Sequence, residues 1–115
     1  MSGILEELNV ALNGSVPIET GVFSEAAPDE YIVITPLSDN FALHANDRPD
    51  YETQEARLSL YSKGNYLALK NNTVEVLLDN DFTITARQYL GHEDDTGYHH
   101  YAIDAMKVYS VLHKV

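Results

Sequence analysis

The chain has 115 residues, of which 44% are hydrophobic and 22% charged, a composition that predicts one soluble globular domain over residues 1–115. Eighteen acidic against seven basic side chains give a formal net charge of −11, which disfavours binding to nucleic-acid phosphates or to anionic membranes. The chain contains no cysteine, which excludes disulfides and thiolate chemistry, and no apolar run is long enough to predict a membrane span.

The first segment predicts a short amphipathic helix. Apolar residues recur at helical spacing over Ile4–Leu12, with Ser2 as a suitable N-cap and Gly14 as a suitable C′ residue. A short strand, interrupted at Gly21, is predicted within residues 16–24. This helix is expected to cover one face of a sheet.

The next segments predict strands and a projecting hairpin. Glu30–Thr35 is a strand that Pro36–Asn40 is expected to end, because proline cannot donate to a strand ladder. Extended pieces at Phe41–Ala45 and Tyr51–Leu60 flank the polar run Asn46–Asp50. These pieces predict a hairpin whose polar outer half projects from the body as an arm.

The centre of the chain predicts a strand that leads into a helix. Ala56, Leu58 and Leu60 alternate with more polar residues, the period-2 pattern of a half-buried strand. After a tight turn, Asn65 can cap a helix over residues 65–78. The predicted core face of that helix consists of Leu67, Val74, Leu77 and Leu78.

The last segments predict a second hairpin, with strands at Phe82–Tyr89 and His99–Val111 and a turn at Gly91–Gly97. The return strand is apolar in both alternating sets, so either it is covered on both faces or a bulge shifts its register near Ala105. The order of elements predicts an α+β fold, in which a mixed or largely antiparallel sheet packs with two helices.

One cluster resembles a metal site: His99 and His100 together with His92, Glu93, Asp94 and Asp95. Adjacent strand residues point to opposite faces, so His99 and His100 cannot readily share an ion. The spacing matches neither zinc nor calcium signatures. We therefore predict a solvated acidic loop without a metal or other cofactor.

The sequence offers no catalytic motif. No Gly-x-Ser-x-Gly elbow surrounds a serine, and the six glycines form no phosphate-binding loop. The tyrosines are more typical of protein interfaces than of base-stacking surfaces in so acidic a chain. The tyrosines predicted to make subunit contacts are Tyr51, Tyr61, Tyr98 and Tyr101.

The pattern as a whole resembles the tail terminator proteins of long-tailed bacteriophages and prophages, also called tail completion or head–tail joining proteins. The similar elements are the opening helix at Ile4–Leu12, the small strand at Val16–Phe23 and the strand after Pro28. They also include the strand Glu55–Ser62 that runs into the helix Asn65–Leu78, and the closing strand pair. The resemblance covers nearly the whole chain but not the insertion Phe41–Asp50.

The resemblance implies a structural protein without a catalytic site. Such a protein forms a homo-oligomeric ring, commonly a hexamer, that caps the tail tube protein, ends tube growth and docks the head connector protein. DNA is then only a passing strand in the bore, where negative charge would prevent sticking. The location implied is the head–tail junction of the virion tail, after synthesis in the host bacterial cytoplasm.

Two polar hairpin tips are the predicted contacts with neighbouring subunits, tube or connector. They comprise Asp47, Arg48, Asp50 and Tyr51 in the arm, and His92, Glu93, Asp94 and Asp95 in the second turn. Three alternatives remain at this stage: another minor tail or head-closure component, a small acidic module that occupies a basic protein surface, and a metal-dependent enzyme using His92 and His99.

Overall fold

A computed structural model describes residues 3–14, 16–20, 28–41 and 51–110. The elements in chain order are α1 (Ile4–Ala11), β1 (Ile18–Thr20), β2 (Glu30–Phe41), β3 (Tyr51–Ser62), α2 (Tyr66–Asp79), β4 (Thr83–His92) and β5 (His99–Ser110). The predicted α+β class is confirmed. The five strands form one sheet in the order β1-β2-β3-β5-β4.

The sheet is mixed but mainly antiparallel. β1 pairs in parallel with β2 through Ile18 and Ile32, and every other neighbouring pair is antiparallel. β3 lies at the centre, hydrogen-bonded to β2 on one side and to β5 on the other along its whole length. Three strands of twelve residues give an elongated molecule of 53 × 25 × 24 Å.

Both helices pack on one face of the sheet, and the core lies between the two layers. On β3 the buried residues are Ala56, Leu58 and Leu60, as the alternation predicts. Ile34 of β2 and Ile103 of β5 lie beside Leu58 in the register, so one row of aliphatic side chains crosses the sheet. The opposite face has no helix on it among the described residues, and we call it the helix-free face.

The helix α1 begins differently from the prediction. Its N-cap is Gly3, which has no side chain to offer, and the Ile4 N–H donates instead to Gln54 Oε1 of β3 at 2.8 Å. Ser2 lies outside the described residues. The helix ends at Ala11, and Gly14 lies in the following turn with a φ of +88°.

The predicted break at Pro36–Asn40 is wrong, because β2 continues to Phe41. Beyond Ile34 no described residue pairs with the β1 side of the strand, and such an edge position accommodates a proline that cannot donate. The register with β3 shifts by one residue between Pro36 and Ser38, which makes Leu37 a bulge. The arm therefore starts earlier than the sequence predicts, while its tip at 42–50 lies outside the described residues.

The register of β5 is settled by its continuous pairing with β3, from His99 opposite Ser62 to Ser110 opposite Tyr51. Of the two alternatives that the sequence leaves open, a bulge near Ala105 is absent from this pairing. β5 instead buries residues on both faces, with Ile103 and Ala105 toward the helices and Ala102 on the helix-free face. The irregularities lie on the partner strand, where β4 gains one residue at Thr85 and one at Leu90.

Candidate functional site

The arm is the part of the sheet that extends beyond the core. We define it as Pro36–Phe41 of β2, Tyr51–Glu55 of β3 and Met106–Ser110 of β5, which remain paired to their outer ends. Four large apolar side chains on it are exposed: Leu37 (43%), Phe41 (67%), Tyr51 (52%) and Val108 (54%). Exposed apolar side chains that lie side by side are typical of a protein contact.

The exposed side chains occur on both faces of the arm. Tyr51 pairs with Ser110, two residues from Val108, so Tyr51 and Val108 are diagonal neighbours on the helix-free face. Phe41 pairs with Glu52 and so lies on the other face. Of the predicted arm contacts, Tyr51 is found at the outer end of β3, and Asp47, Arg48 and Asp50 lie outside the described residues.

The turn between β4 and β5 is built by hydrogen bonds around Glu93. Its N–H donates to the carbonyl of Tyr98 at 2.8 Å, and its carbonyl accepts from the Gly97 N–H at 2.7 Å. The Thr96 hydroxyl donates to the Glu93 carboxylate at 2.7 Å. Gly97 has a φ of +83°, a conformation that favours glycine. Glu93 is therefore a structural part of the turn as well as a charge.

The other predicted contacts in this turn are open to solvent. Asp94 and Asp95 are exposed, and the Asp94 carboxylate lies 3.0 Å from His92 Nδ1. Just before the turn, Tyr89 and Leu90 are exposed by 42% and 45%. Leu90 is the extra residue of a bulge in β4, the edge strand of the sheet. We call the region from Tyr89 to Asp95 the turn end, and it combines acidic and apolar side chains.

The two predicted contact regions lie at opposite ends of the sheet. Tyr51 begins β3 at the arm, whereas Ser62 ends it opposite His99, beside the second turn. Twelve residues of strand span roughly 36 Å at about 3.3 Å per step. Within one chain, Tyr51 and the acidic turn are therefore separate surfaces with different side chains.

An aromatic row occupies the turn end of the helix-free face. The ring of Tyr61 stacks on Tyr31 at 4.7 Å and on His100 at 4.3 Å between centroids. Tyr98 meets Tyr31 and Tyr61 edge-on, and its hydroxyl donates to the Pro28 carbonyl. Tyr98 is only 7% exposed, so it offers little surface for the predicted contact with a neighbouring subunit.

Burial shapes the ionisation of this row. It raises the pKa of the Tyr61 phenol, which the nearby Glu93 carboxylate raises further. Burial also raises the pKa of Tyr31, with the neighbouring Tyr61 and Tyr98 as secondary causes. The pKa of His100 is lowered chiefly by burial, so its imidazole is neutral near pH 7. The row is an uncharged packing unit.

The histidines divide between the two faces as the sequence predicts. His99 lies opposite His92 on β4, while His100 packs on Tyr61 on the helix-free face. Tyr101, a further predicted contact, packs against the core near Tyr66. Within the described residues, no group of three or more histidine and acidic side chains is arranged to hold a metal ion.

The acidic residues of the described part of the chain are dispersed. They lie on both helices, on every strand except β4, and in the turns before β2, after α2 and after β4. Two basic side chains are engaged internally, since Arg57 pairs with Asp104 at 2.8 Å and Lys107 with Glu7 at 2.8 Å. This spread does not favour the alternative of an acidic mimic.

The comparisons with known proteins find no matching family model and no matching curated protein. In the part of the chain that the structure describes, no helix is long and apolar enough to cross a membrane. The resemblance to tail terminator proteins stays a prediction.

Leu37 on the arm and Leu90 before the second turn are exposed apolar residues that the sequence does not predict as contacts. Leu37 falls in a segment that the sequence assigns to a turn, and Leu90 follows a strand that was expected to end at Tyr89. The available signal was the run Tyr89-Leu90 immediately before a glycine and an acidic loop. An apolar pair there has no role in a solvated turn.

Proposed function

We propose that this chain is a tail terminator protein of a long-tailed bacteriophage or prophage. It assembles as a homo-oligomeric ring, with six subunits as the expected number, on the end of the tail tube. The ring ends tube growth and offers the head connector a docking surface. The protein is made in the host bacterial cytoplasm and resides at the head–tail junction of the virion.

One observation carries the proposal: exposed apolar side chains adjoin both predicted contact ends. Tyr51 and Val108 are exposed on the arm, and Leu90 is exposed beside the acidic turn. Both ends belong to one continuous sheet, which fixes the distance and angle between them. The element order of the fold, which agrees with the resemblance, is the second support.

The two surfaces suit a heterologous contact. If the arm of one subunit binds the turn end of the next, each chain uses both surfaces once, and the chains form a ring when the rotation per subunit closes. The strand edges themselves are poorly suited to joining subunits. β4 carries bulges at Thr85 and Leu90. The part of β2 that pairs only with β3 among the described residues carries Pro36 and a bulge, and all these features disfavour edge-to-edge pairing. The contact therefore relies on side chains.

The function in this proposal is mechanical, and no residue is assigned a catalytic role. One face of the ring recognises the tube and the opposite face recognises the connector. DNA passes through the bore without being bound. The acidic balance of the chain supports that last point, because negatively charged walls repel phosphates.

The test uses two complementary variants examined by native mass spectrometry. The arm variant is Y51S/V108S, the turn variant is L90S, and the control is L67S, which removes a similarly exposed leucine from α2. We expect rings from the wild type and L67S, and monomers from each contact variant alone. Addition to growing tail tubes provides the same comparison if the free wild-type chain needs the tube as a template.

Mixing the two contact variants distinguishes the type of interface. The turn variant keeps an intact arm and the arm variant keeps an intact turn end, so a heterologous contact gives a mixed dimer that cannot grow. An isologous contact through either surface gives no such dimer. Rings or tube capping by either variant alone contradict the proposal.

A further inference from the structure

A pair of histidines closes the end of the β4–β5 hairpin on the helix side of the sheet. His92 and His99 are direct cross-strand partners, and their ring centroids lie 4.7 Å apart with the planes inclined by 53°. His92 is exposed and His99 is half-buried. The rings are close and tilted, and each has one nitrogen already engaged.

The engaged nitrogen is Nδ1 in both residues. His92 Nδ1 lies 3.0 Å from the Asp94 carboxylate, and His99 Nδ1 lies 2.9 Å from the Tyr89 hydroxyl oxygen. Each oxygen can accept a hydrogen bond from the Nδ1–H, and in that tautomer the Nε2 lone pair of both imidazoles is available. A carboxylate or other oxygen that holds the far nitrogen is the usual second shell of a metal-bound histidine.

The spacing of the rings fits two imidazoles on one ion. With metal–nitrogen bonds of about 2.0–2.1 Å, each ring centroid lies about 3.2 Å from the metal. Two such rings are about 4.5 Å apart at a right angle and about 5.2 Å apart at a tetrahedral angle. The observed 4.7 Å falls between these values.

We propose that His92 and His99 form a two-histidine site for a first-row divalent transition-metal ion of the imidazole-preferring class, such as Ni²⁺, Cu²⁺ or Zn²⁺. The two nitrogen ligands of the ion are the Nε2 atoms of these histidines, and water fills the remaining coordination positions. The neighbouring carboxylates of Glu93, Asp94 and Asp95 raise the local concentration of cations. Tyr66 packs against His99 at 5.0 Å and limits the movement of its ring.

The site lies within one chain, so it can form without the proposed ring, and it is not assigned any catalysis. The sequence predicts a loop without a metal and offers His92 and His99 as metal ligands only in the alternative of a metal-dependent enzyme. The sequence patterns for zinc demand more ligands at fixed spacing, whereas this pair is seven residues apart in the chain and is joined by the hairpin register.

The test is isothermal titration of the tag-free chain with Ni²⁺. We expect one ion per chain in the wild type, and at least tenfold weaker binding in H92Q and in H99Q. The matched control is H100Q, because His100 is adjacent in sequence but lies on the opposite face beside Tyr61. H100Q should bind Ni²⁺ like the wild type, and circular dichroism confirms that each variant is folded.

A second variant tests the orientation of the ring. Y89F removes the hydroxyl that holds His99 Nδ1 and keeps the aromatic packing, and we expect roughly tenfold weaker binding, the lower end of the usual second-shell effect. Paramagnetic broadening of the His92 and His99 ring signals, without broadening of His100, locates the ion. No binding by the wild type, or binding by H92Q or H99Q that is as tight as that of the wild type, overturns the proposal.

Discussion

Tyr61 illustrates how a single residue in this sheet depends on its neighbours. Its ring lies between Tyr31 and His100 in a continuous stack, with Tyr98 edge-on. The phenol is thereby removed from water, and its pKa is raised. The chain has eight tyrosines, and the sequence alone shows of Tyr61 only that it occupies a polar position of an alternating strand.

The raised pKa of Tyr61 has a defined effect on stability. The folded chain holds the phenol proton more tightly than the unfolded chain does, so this contribution is complete below about pH 10 and is lost as pH rises above it. We expect the free energy of unfolding to fall between pH 8 and pH 11, and to fall less in Y61F. Denaturant titration at the two pH values measures the difference.

Tyr51→Phe is the control for this experiment, because the Tyr51 side chain is about half exposed at the end of the arm. Its loss of stability with pH should parallel that of the wild type. Tyr31 and Tyr109, whose pKa values are also raised by burial, preserve part of the effect in Y61F. Equal pH dependence in wild type and Y61F contradicts the assignment.

Gln54 shows what sequence patterns omit at the residue scale. Its amide oxygen accepts the first N–H of α1, fifty residues earlier, and lies 3.0 Å from the position of a Cβ added at Gly3. Local capping rules look for a partner within three residues. The start of α1 was predictable to within a residue, but its cap belongs to another element.

At the scale of elements, α2 lies where the sequence predicts it, and its predicted core face is half right, since Leu77 is buried and Val74 packs against the core. Asn65 caps it as expected, with its side chain accepting from the Ala68 N–H at 3.3 Å. The buried stripe is Leu69, Thr73 and Leu77, whereas Leu67 and Leu78 are half exposed. Thr73 obscured the stripe, since its hydroxyl is satisfied by the Leu69 carbonyl at 2.8 Å and so can be buried.

Adjacent leucines at the end of α2 provide a matched test of this face. Leu77 is fully buried and Leu78 is 57% exposed. We expect L77A to lower the free energy of unfolding by roughly 2–5 kcal/mol through lost burial and a cavity. L78A should change it by less than about 0.5 kcal/mol, because alanine is an equally good helix former at an exposed site.

Chemical denaturation of the two variants beside the wild type measures both values. Both variants replace leucine with alanine in the same helix, so a difference in helix propensity cannot account for the contrast. Similar losses in L77A and L78A would mean that both leucines are covered, which contradicts the face described for α2.

At the scale of the whole molecule, the negative net charge opposes formation of the proposed ring, whereas the exposed apolar side chains of the arm and the turn end favour it. Each chain carries a formal net charge of −11, so six chains in a ring repel one another. Salt shortens the range of this repulsion to about 10 Å at 0.1 M ionic strength and to about 3 Å at 1 M. The apolar contacts at Tyr51, Val108 and Leu90 do not depend on that screening.

We therefore expect rings to be favoured by salt. Raising the ionic strength from about 0.02 M to 0.5 M should increase the ring fraction at fixed protein concentration, as measured by sedimentation velocity. The variant E93Q/D94N/D95N, which removes three charges from the turn end, should form rings at lower salt than the wild type. A ring fraction that falls with salt contradicts a contact of this apolar kind.

Much of this protein was determined by the sequence itself. The alternation of Ala56, Leu58 and Leu60, the cap at Asn65 and the polar turn before the last strand specify local structure through periodicity and backbone preference. These signals act over a few residues, so they were readable without a fold. They yielded the α+β class and the order of the elements.

Only the tertiary structure decided what depends on partners distant in the chain. β2 extends through Pro36, where β3 is its only neighbour among the described residues, and the straight register of β5 follows from its pairing with β3. The approach of His92 to His99 likewise follows from hairpin register. Pairing across the sheet is set by the whole core, because a slip of one residue would turn every buried side chain outward.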